Sequence, residues 1–268
     1  MCGDSLCAAD LTSVLEAQRR HEPAGLPTYD ASAIARHAIV RHMHTRGAPP
    51  EPVLAMDVRQ FRLEGPQSER GSVTSSWHVA HETMAAAQAS ATQRGVTLNS
   101  FLLGTLAWVL HDALEQRCFA ISQTYLGRTM DELRAVGSYS VTLPMVFDFA
   151  EEPSLDAVCR HVQGETQRVL ALDVIVQSTQ MLTVAYELND VRPIERPEEV
   201  KRQPSSFTFV DVFFLVNQYS DGYTAMVHYD EGKCDAAWVD GRVERWMGLW
   251  QGVRECTFDE HFAMSDQL

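Results

Sequence analysis

Apolar positions recur along the chain at two spacings, and the alternation between them lays out the elements. Leu6, Leu11, Val14 and Leu15 share one face of a helix from Ser5 to Arg20, with Asp4 placed to cap it and Glu22-Pro23-Ala24-Gly25 to end it. Ile34, Ala38, Ile39 and Met43 mark a second helix over Asp30 to Arg46, stopped by Gly47-Ala48-Pro49-Pro50. Period-two runs predict strands over 57–63 and 73–79. Helices follow over 81–94 and 98–115, divided by Gly95. Thr97 is suited to cap the second, whose Phe101, Leu102, Leu103, Leu106, Trp108, Val109 and Leu110 are apolar nearly all round and predict burial.

Beyond residue 117 strand and helix alternate. A strand over Cys118–Thr124 precedes a short helix over 130–135, a strand over Ser140–Phe149 and a helix from Ser154 to Leu172. A further helix over 177–187 leads into Asn189–Pro204, a stretch rich in Pro, Glu and Arg that reads as an exposed surface loop. Phe207–Asn217 and Tyr223–His228, joined by Ser220-Asp221-Gly222, read as a hairpin because Asp-Gly between two β-rich runs is a strong turn signal. A closing helix over Ala236–Val253 turns Val239, Val243, Trp246, Leu249 and Trp250 inward. No internal repeat is visible, and the pattern as a whole is α/β, a mixed sheet covered by helices.

The 268 residues, 45% of them hydrophobic, are enough for a sizeable core. A formal charge of −14 with no basic stripe argues against a nucleic-acid partner, whose phosphates need cations to neutralise them. The six cysteines are scattered, without the close pairing of a zinc or redox motif, and read as reduced thiols. The longest apolar run, Phe101 to Leu110, is too short for a membrane span, and the N-terminus has no secretory pattern, so a cytoplasmic protein is expected.

The usual catalytic signatures are missing: no nucleophile elbow, phosphate-binding glycine loop, dinucleotide fingerprint or His-Glu-x-x-His. His78 with Glu82, and His161 with Glu165, have the spacing of one helical turn but lack a third ligand and read as surface pairs. His42 and His44 stand two apart in a helix-like segment and so on different faces. No metal site is expected.

Order carries more information than any single residue. Thr97-Leu98-Asn99-Ser100 opens a buried helix, and a strand ends in Tyr125-Leu126-Gly127-Arg128. Asp131-Glu132-Leu133, Val136-Gly137-Ser138-Tyr139 and Thr142-Leu143-Pro144 then follow. This succession resembles the condensation-domain superfamily, the condensation domains of nonribosomal peptide synthetases and the polyketide-associated acyltransferases. There, a Thr-opened helix precedes a strand, a Gly-Arg turn, a Glu-Leu helix and a Gly-x-Phe-x-Asn-Thr-Leu-Pro segment. At the front, Met1-Cys2-Gly3-Asp4-Ser5-Leu6 resembles the tail of the family's active-site motif, His-His-x-x-x-Asp-Gly-x-Ser-Leu. Gly3, Ser5 and Leu6 match, Cys2 stands in place of the Asp, and both histidines fall before residue 1. Val141 sits where the family has Asn.

The resemblance implies a chloramphenicol-acetyltransferase-like fold whose N-terminal subdomain is largely missing. Residues 1–50 form a helical remnant after the active-site motif, and 51–268 form the C-terminal condensation-type subdomain. It further implies an acyltransferase that forms an amide or ester from an acyl or aminoacyl thioester in natural-product or lipid biosynthesis. The substrate is carried on phosphopantetheine or coenzyme A, and no cofactor is bound. An acyl or peptidyl carrier protein is the expected partner, together with a separate N-terminal half or a second copy of the chain. With the catalytic histidines absent, no catalytic residue is assigned, and the chain alone is expected to be inactive.

By the same resemblance Gly127 and Arg128 shape the turn near the subdomain junction, and Gly137, Tyr139 and Ser140 begin a strand near the cleft. Asn217, a polar residue ending an apolar strand, is either a cleft residue or an ordinary strand-end amide. The alternative function is a non-catalytic relic or docking module that binds a carrier protein or partner enzyme, which Cys2 and Val141 favour.

Overall fold

The computed structural model describes residues 19–20, 71–114, 117–126, 140–149, 153–170, 184–190, 202–204 and 210–252. Among them are seven strands: β1 (Ser72–Val79), β2 (Cys118–Leu126), β3 (Ser140–Asp148), β4 (Val184–Asp190), β5 (Arg202–Pro204), β6 (Val212–Tyr219) and β7 (Gly222–Asp230). Four helices accompany them: α1 (His81–Gln93), α2 (Leu98–Leu114), α3 (Leu155–Leu170) and α4 (Ala236–Trp250). Of the helix expected over Ser5–Arg20 only Arg19 and Arg20 are described. The elements expected over 30–46, 57–63 and 130–135, and His42 and His44, lie outside the described residues.

Local chemistry fixes the helix ends. Gly95, at φ +70°, reverses the chain after α1, and the Val96 N–H reaches back to the Ala91 carbonyl at 3.0 Å, a left-handed cap that glycine adopts without strain. Thr97 Oγ1 then accepts from the Ser100 N–H at 3.2 Å and starts α2. Asp235 does the same for α4, accepting from the Trp238 N–H at 2.7 Å. The hairpin forms as its turn residues predict: Tyr219 pairs with Gly222 across Ser220 and Asp221.

The sheet runs β3-β2-β4-β6-β7-β1-β5. Its pairings are antiparallel except β2 with β4 and β4 with β6. Strand β4 therefore joins two antiparallel groups. Among the described residues its ladder with β6 spans seven residue pairs, whereas its ladder with β2 consists of Ser122 opposite Ala185 and Gln123 opposite Tyr186.

This strand corrects the helix expected over 177–187, because residues 184–187 lie in β4. Val184, Tyr186 and Leu188 face one side and Ala185, Glu187 and Asn189 the other, a period of two that a helix cannot satisfy with one buried face. The exposed loop expected over Asn189–Pro204 is corrected at both ends. Asn189 is a buried residue of β4, and Arg202–Pro204 form β5, pairing with Val73–Ser75. Pro204 is tolerated there because β5 lies at the edge of the sheet, where a missing N–H interrupts no inner ladder.

All four described helices pack on one face of the sheet. Helix α2, which carries Phe101, Leu102, Leu103, Leu106, Val109 and Leu110 fully buried, touches each of the other three. Trp246 of α4, fully buried, donates its indole N–H to the Leu102 carbonyl at 2.9 Å and to Thr105 Oγ1 at 3.1 Å. Gly104 lets α2 close on α3: a Cβ there would stand 2.7 Å from Cys159 Sγ and 3.0 Å from Cys159 Cα. The opposite face carries a smaller cluster of strand residues, Ala185, Phe213 and Leu215, with Val210 and Met226 packed against it. From Val212 to Asn217 every residue of β6 is buried, those on the helix face and those on the opposite face alike.

Candidate functional site

Strands β2, β4 and β6 run parallel, so their C-terminal ends meet at one end of the sheet. In open α/β sheets this is the end where ligands approach. A row of polar residues crosses the sheet here. His78 of β1 stands opposite Thr224 of β7, Thr224 opposite Asn217 of β6, and Asn217 opposite Asn189 of β4. Alternation along each strand puts all four on the face away from the described helices, the face of Phe213, Leu215 and Met226.

The row grades from open to buried. His78 is exposed, on the part of β1 that lies beyond the Val73–Ser75 ladder to β5. Thr224, Asn217 and Asn189 are only 4%, 7% and 9% exposed, so three adjacent polar side chains are withdrawn from water and need partners from protein or ligand. Asn189 Nδ2 donates to Asn217 Oδ1 at 3.2 Å, and Asn217 Nδ2 donates to Met226 Sδ at 2.9 Å. Among the described residues Thr224 Oγ1 has no hydrogen-bond partner.

Besides His78, Glu187 and His228 are titratable groups of this face. Burial raises the Glu187 carboxyl above its ordinary value, and the hydrogen bond from Asn189 opposes that rise. Burial lowers the His228 imidazole, whose Nδ1 lies 2.6 Å from Thr74 Oγ1. Carboxyl and imidazole are both pushed toward their neutral forms, which marks a poorly solvated surface. Such a surface binds neutral hydrogen-bonding groups better than ions.

Beyond this face, Cys234 is buried, and burial, then Asp230, Asp211 and Asp235, push its thiol up to about 12, far from a reactive thiolate. His78 and Glu82 do not form the one-turn pair their spacing allowed, because His78 lies in β1 and Glu82 in α1. His161 and Glu165 do share α3, where His161 Nε2 donates to the Val146 carbonyl at 2.7 Å. No helix among the described residues is long and apolar enough to cross a membrane.

Of the residues singled out from sequence, Asn217 lies in the polar row. Ser140 opens β3 opposite Leu126, at the same end of the sheet. Gly3, Ser5, Gly127, Arg128, Gly137 and Tyr139 lie outside the described residues. Asn189, Thr224 and His78 were not anticipated as part of a site. The alternation from Val184 to Asn189 was the signal that could have placed Asn189 beside Asn217.

No family model and no curated protein matches the sequence significantly. Solved structures do match. The first condensation domain of the calcium-dependent antibiotic synthetase superposes with a TM-score of 0.66 at 16% identity, over 93% of this chain and 60% of that one. The PapA2 acyl transferase gives 0.64 at 14% identity, over 91% and 59%. The epimerization domain from the third module of tyrocidine synthetase B gives 0.64 at 10% identity, over 94% and 65%. The chain thus spans less than two thirds of each of these three structures, which include condensation, acyl-transfer and epimerization domains on one scaffold. From its mixed sheet, its helical layer and these superpositions, the chain has the chloramphenicol-acetyltransferase-like fold of condensation domains and related acyltransferases.

Proposed function

We propose that this chain is the C-terminal portion of a condensation-type acyltransferase, which forms an amide or ester from an acyl or aminoacyl thioester in natural-product or lipid biosynthesis. The observation that carries the reading is the superposition of more than nine tenths of the chain on condensation and acyltransferase structures. The ordered motifs from Thr97 to Pro144 support it independently.

In the proposed reaction an amine or hydroxyl attacks the thioester carbonyl. A C–N or C–O bond forms, the C–S bond breaks, and the proton lost by the nucleophile passes through a base to the departing thiolate of phosphopantetheine or coenzyme A. These 268 residues contain no adjacent His-His pair, so the base must come from a part carrying that motif. The absence of a positioned base costs about 10²–10⁴ in rate, and an incomplete cleft also forfeits the advantage of orientation. The chain by itself is therefore inactive, and a soluble cytoplasmic carrier protein presents the thioester.

The test follows release of free thiol from an acyl-coenzyme A or an acyl-N-acetylcysteamine with an amine acceptor. The chain is assayed alone and mixed with a polypeptide bearing the His-His motif. Turnover only in the mixture is expected. Turnover by the chain alone refutes the reading, and a mixture that associates without turning over establishes the docking module that Cys2 and Val141 favour.

A further inference from the structure

We propose that Thr224, Asn217 and Asn189 together bind a secondary amide of an extended ligand laid across the ends of β7, β6 and β4. This deepens the acyltransferase reading by assigning a ligand chemistry to the face left uncovered by the described helices. Three observations converge on it.

The first is the unpartnered hydroxyl: Thr224 Oγ1 is buried and has no hydrogen-bond partner among the described residues, a condition that native interiors rarely leave unmet. The second is what the neighbouring amides have left over. The Asn189–Asn217 bond and the contact to Met226 use one N–H of Asn189, and one N–H and the oxygen of Asn217. The bond to Glu187 occupies Asn189 further. An N–H of Asn217 and the oxygen of Asn189 take no part in those bonds, so the row offers a hydroxyl, a donor and an acceptor in sequence across adjacent strands about 4.8 Å apart. The third is access, since the row leads inward from the exposed His78.

These groups discriminate among ligands. An anion is disfavoured, because the row contains no Lys or Arg and Glu187 lies beside Asn189. An alkyl chain leaves the Thr224 hydroxyl as unsatisfied as before. A secondary amide brings one donor and one acceptor and meets both kinds of vacancy. The amide can come from a pantetheine arm or from a peptide segment, and the experiment separates the two.

Binding of pantetheine and of N-acetylglycine N-methylamide to the full chain is measured by saturation-transfer NMR. The proteins are the wild type, Thr224→Val and Thr224→Ser, each also melted without ligand. Val is isosteric and suited to a strand, and it removes only the hydroxyl. The expected result is saturable binding of at least one probe, weakened about tenfold by Thr224→Val, the worth of one hydrogen bond. Thr224→Ser should bind within about twofold of the wild type, and unligated Thr224→Val should melt no lower than the wild type. Preference for one probe identifies the source of the amide.

The inference is overturned if neither probe binds, if Thr224→Val binds as well as the wild type, or if that variant melts several degrees lower, which means the hydroxyl is already satisfied inside the protein. The thiol-release assay is separate. Its failure removes the acyl-transfer reading and leaves amide binding standing, and the converse also holds.

Discussion

Replacing Gly104 with alanine sets two effects of known sign against each other. Within a helix, Ala is favoured over Gly by about 1 kcal/mol, so propensity alone makes Gly104→Ala stabilising. The new methyl, however, arrives 2.7 Å from Cys159 Sγ, 3.0 Å from Cys159 Cα and 3.3 Å from Cys159 N. The sulfur can rotate away, but Cα and N are backbone, and α2 or α3 must shift to admit the group. Overpacking of this kind costs about 1–3 kcal/mol, and two of the three close atoms cannot yield, so the upper part of that range applies. Net destabilisation is about 1–2 kcal/mol, a fall in Tm of roughly 2–8 °C for a chain of this size. Urea and thermal unfolding of the wild type, Gly104→Ala, Cys159→Ala and the double variant complete a cycle. Cys159→Ala removes the Sγ clash and leaves the backbone contacts, so it should recover part of the loss. A Gly104→Ala protein about 1 kcal/mol more stable than the wild type refutes the close approach of the two helices.

Three further outcomes follow from groups already placed. Glu187 has a folded pKa above its unfolded value of 4.5, so the stability linked to its proton is present below that value and lost as pH rises through the folded pKa. Glu187→Gln keeps an acceptor for Asn189 and removes the buried charge; it should stabilise the protein at about pH 7 and lose that advantage near pH 4 in urea titrations. His228 has the opposite sign: its folded pKa lies below 6.5, the unfolded chain binds the proton first, and stability falls as pH drops below 6.5. Unfolding free energies between about pH 7 and pH 5 should slope more steeply for the Glu187→Gln protein than for Glu187→Gln with His228→Asn, and equal slopes refute the assignment. Asp235→Ala removes the cap that receives the Trp238 N–H and should cost about 0.5–2 kcal/mol in urea unfolding, whereas Asp235→Asn, which keeps the acceptor, should cost less.

The helices were legible because their apolar residues recur at helical spacing and their ends are marked. Gly95, Thr97 and Asp235 each lie within two residues of a helix boundary. The hairpin was legible from Asp221-Gly222 for the same local reason. Strand β4 was not, because a short segment with buried residues on both faces resembles the end of a preceding helical run, and only pairing with β2 and β6 distinguishes it. Its loss from the sequence reading also hid the site. Asn217 was visible as a polar residue at the end of an apolar strand, but its partners His78, Asn189 and Thr224 come from three other strands. Register alone brings them together, and register is a tertiary property.

The two-rung join between β2 and β4 has a consequence for how the molecule comes apart. On one side of it the β2–β3 pair is held by nine rungs, and on the other β4 is held to β6 by seven. Backbone pairing holds each side strongly, yet among the described residues few rungs cross between them, and the packing of α2 on α3 and α4 adds to the cohesion there. Loosening in native conditions should begin along that line, with the β2–β3 ribbon and its helices releasing as one unit before the strands from β4 to β1 exchange their amide protons.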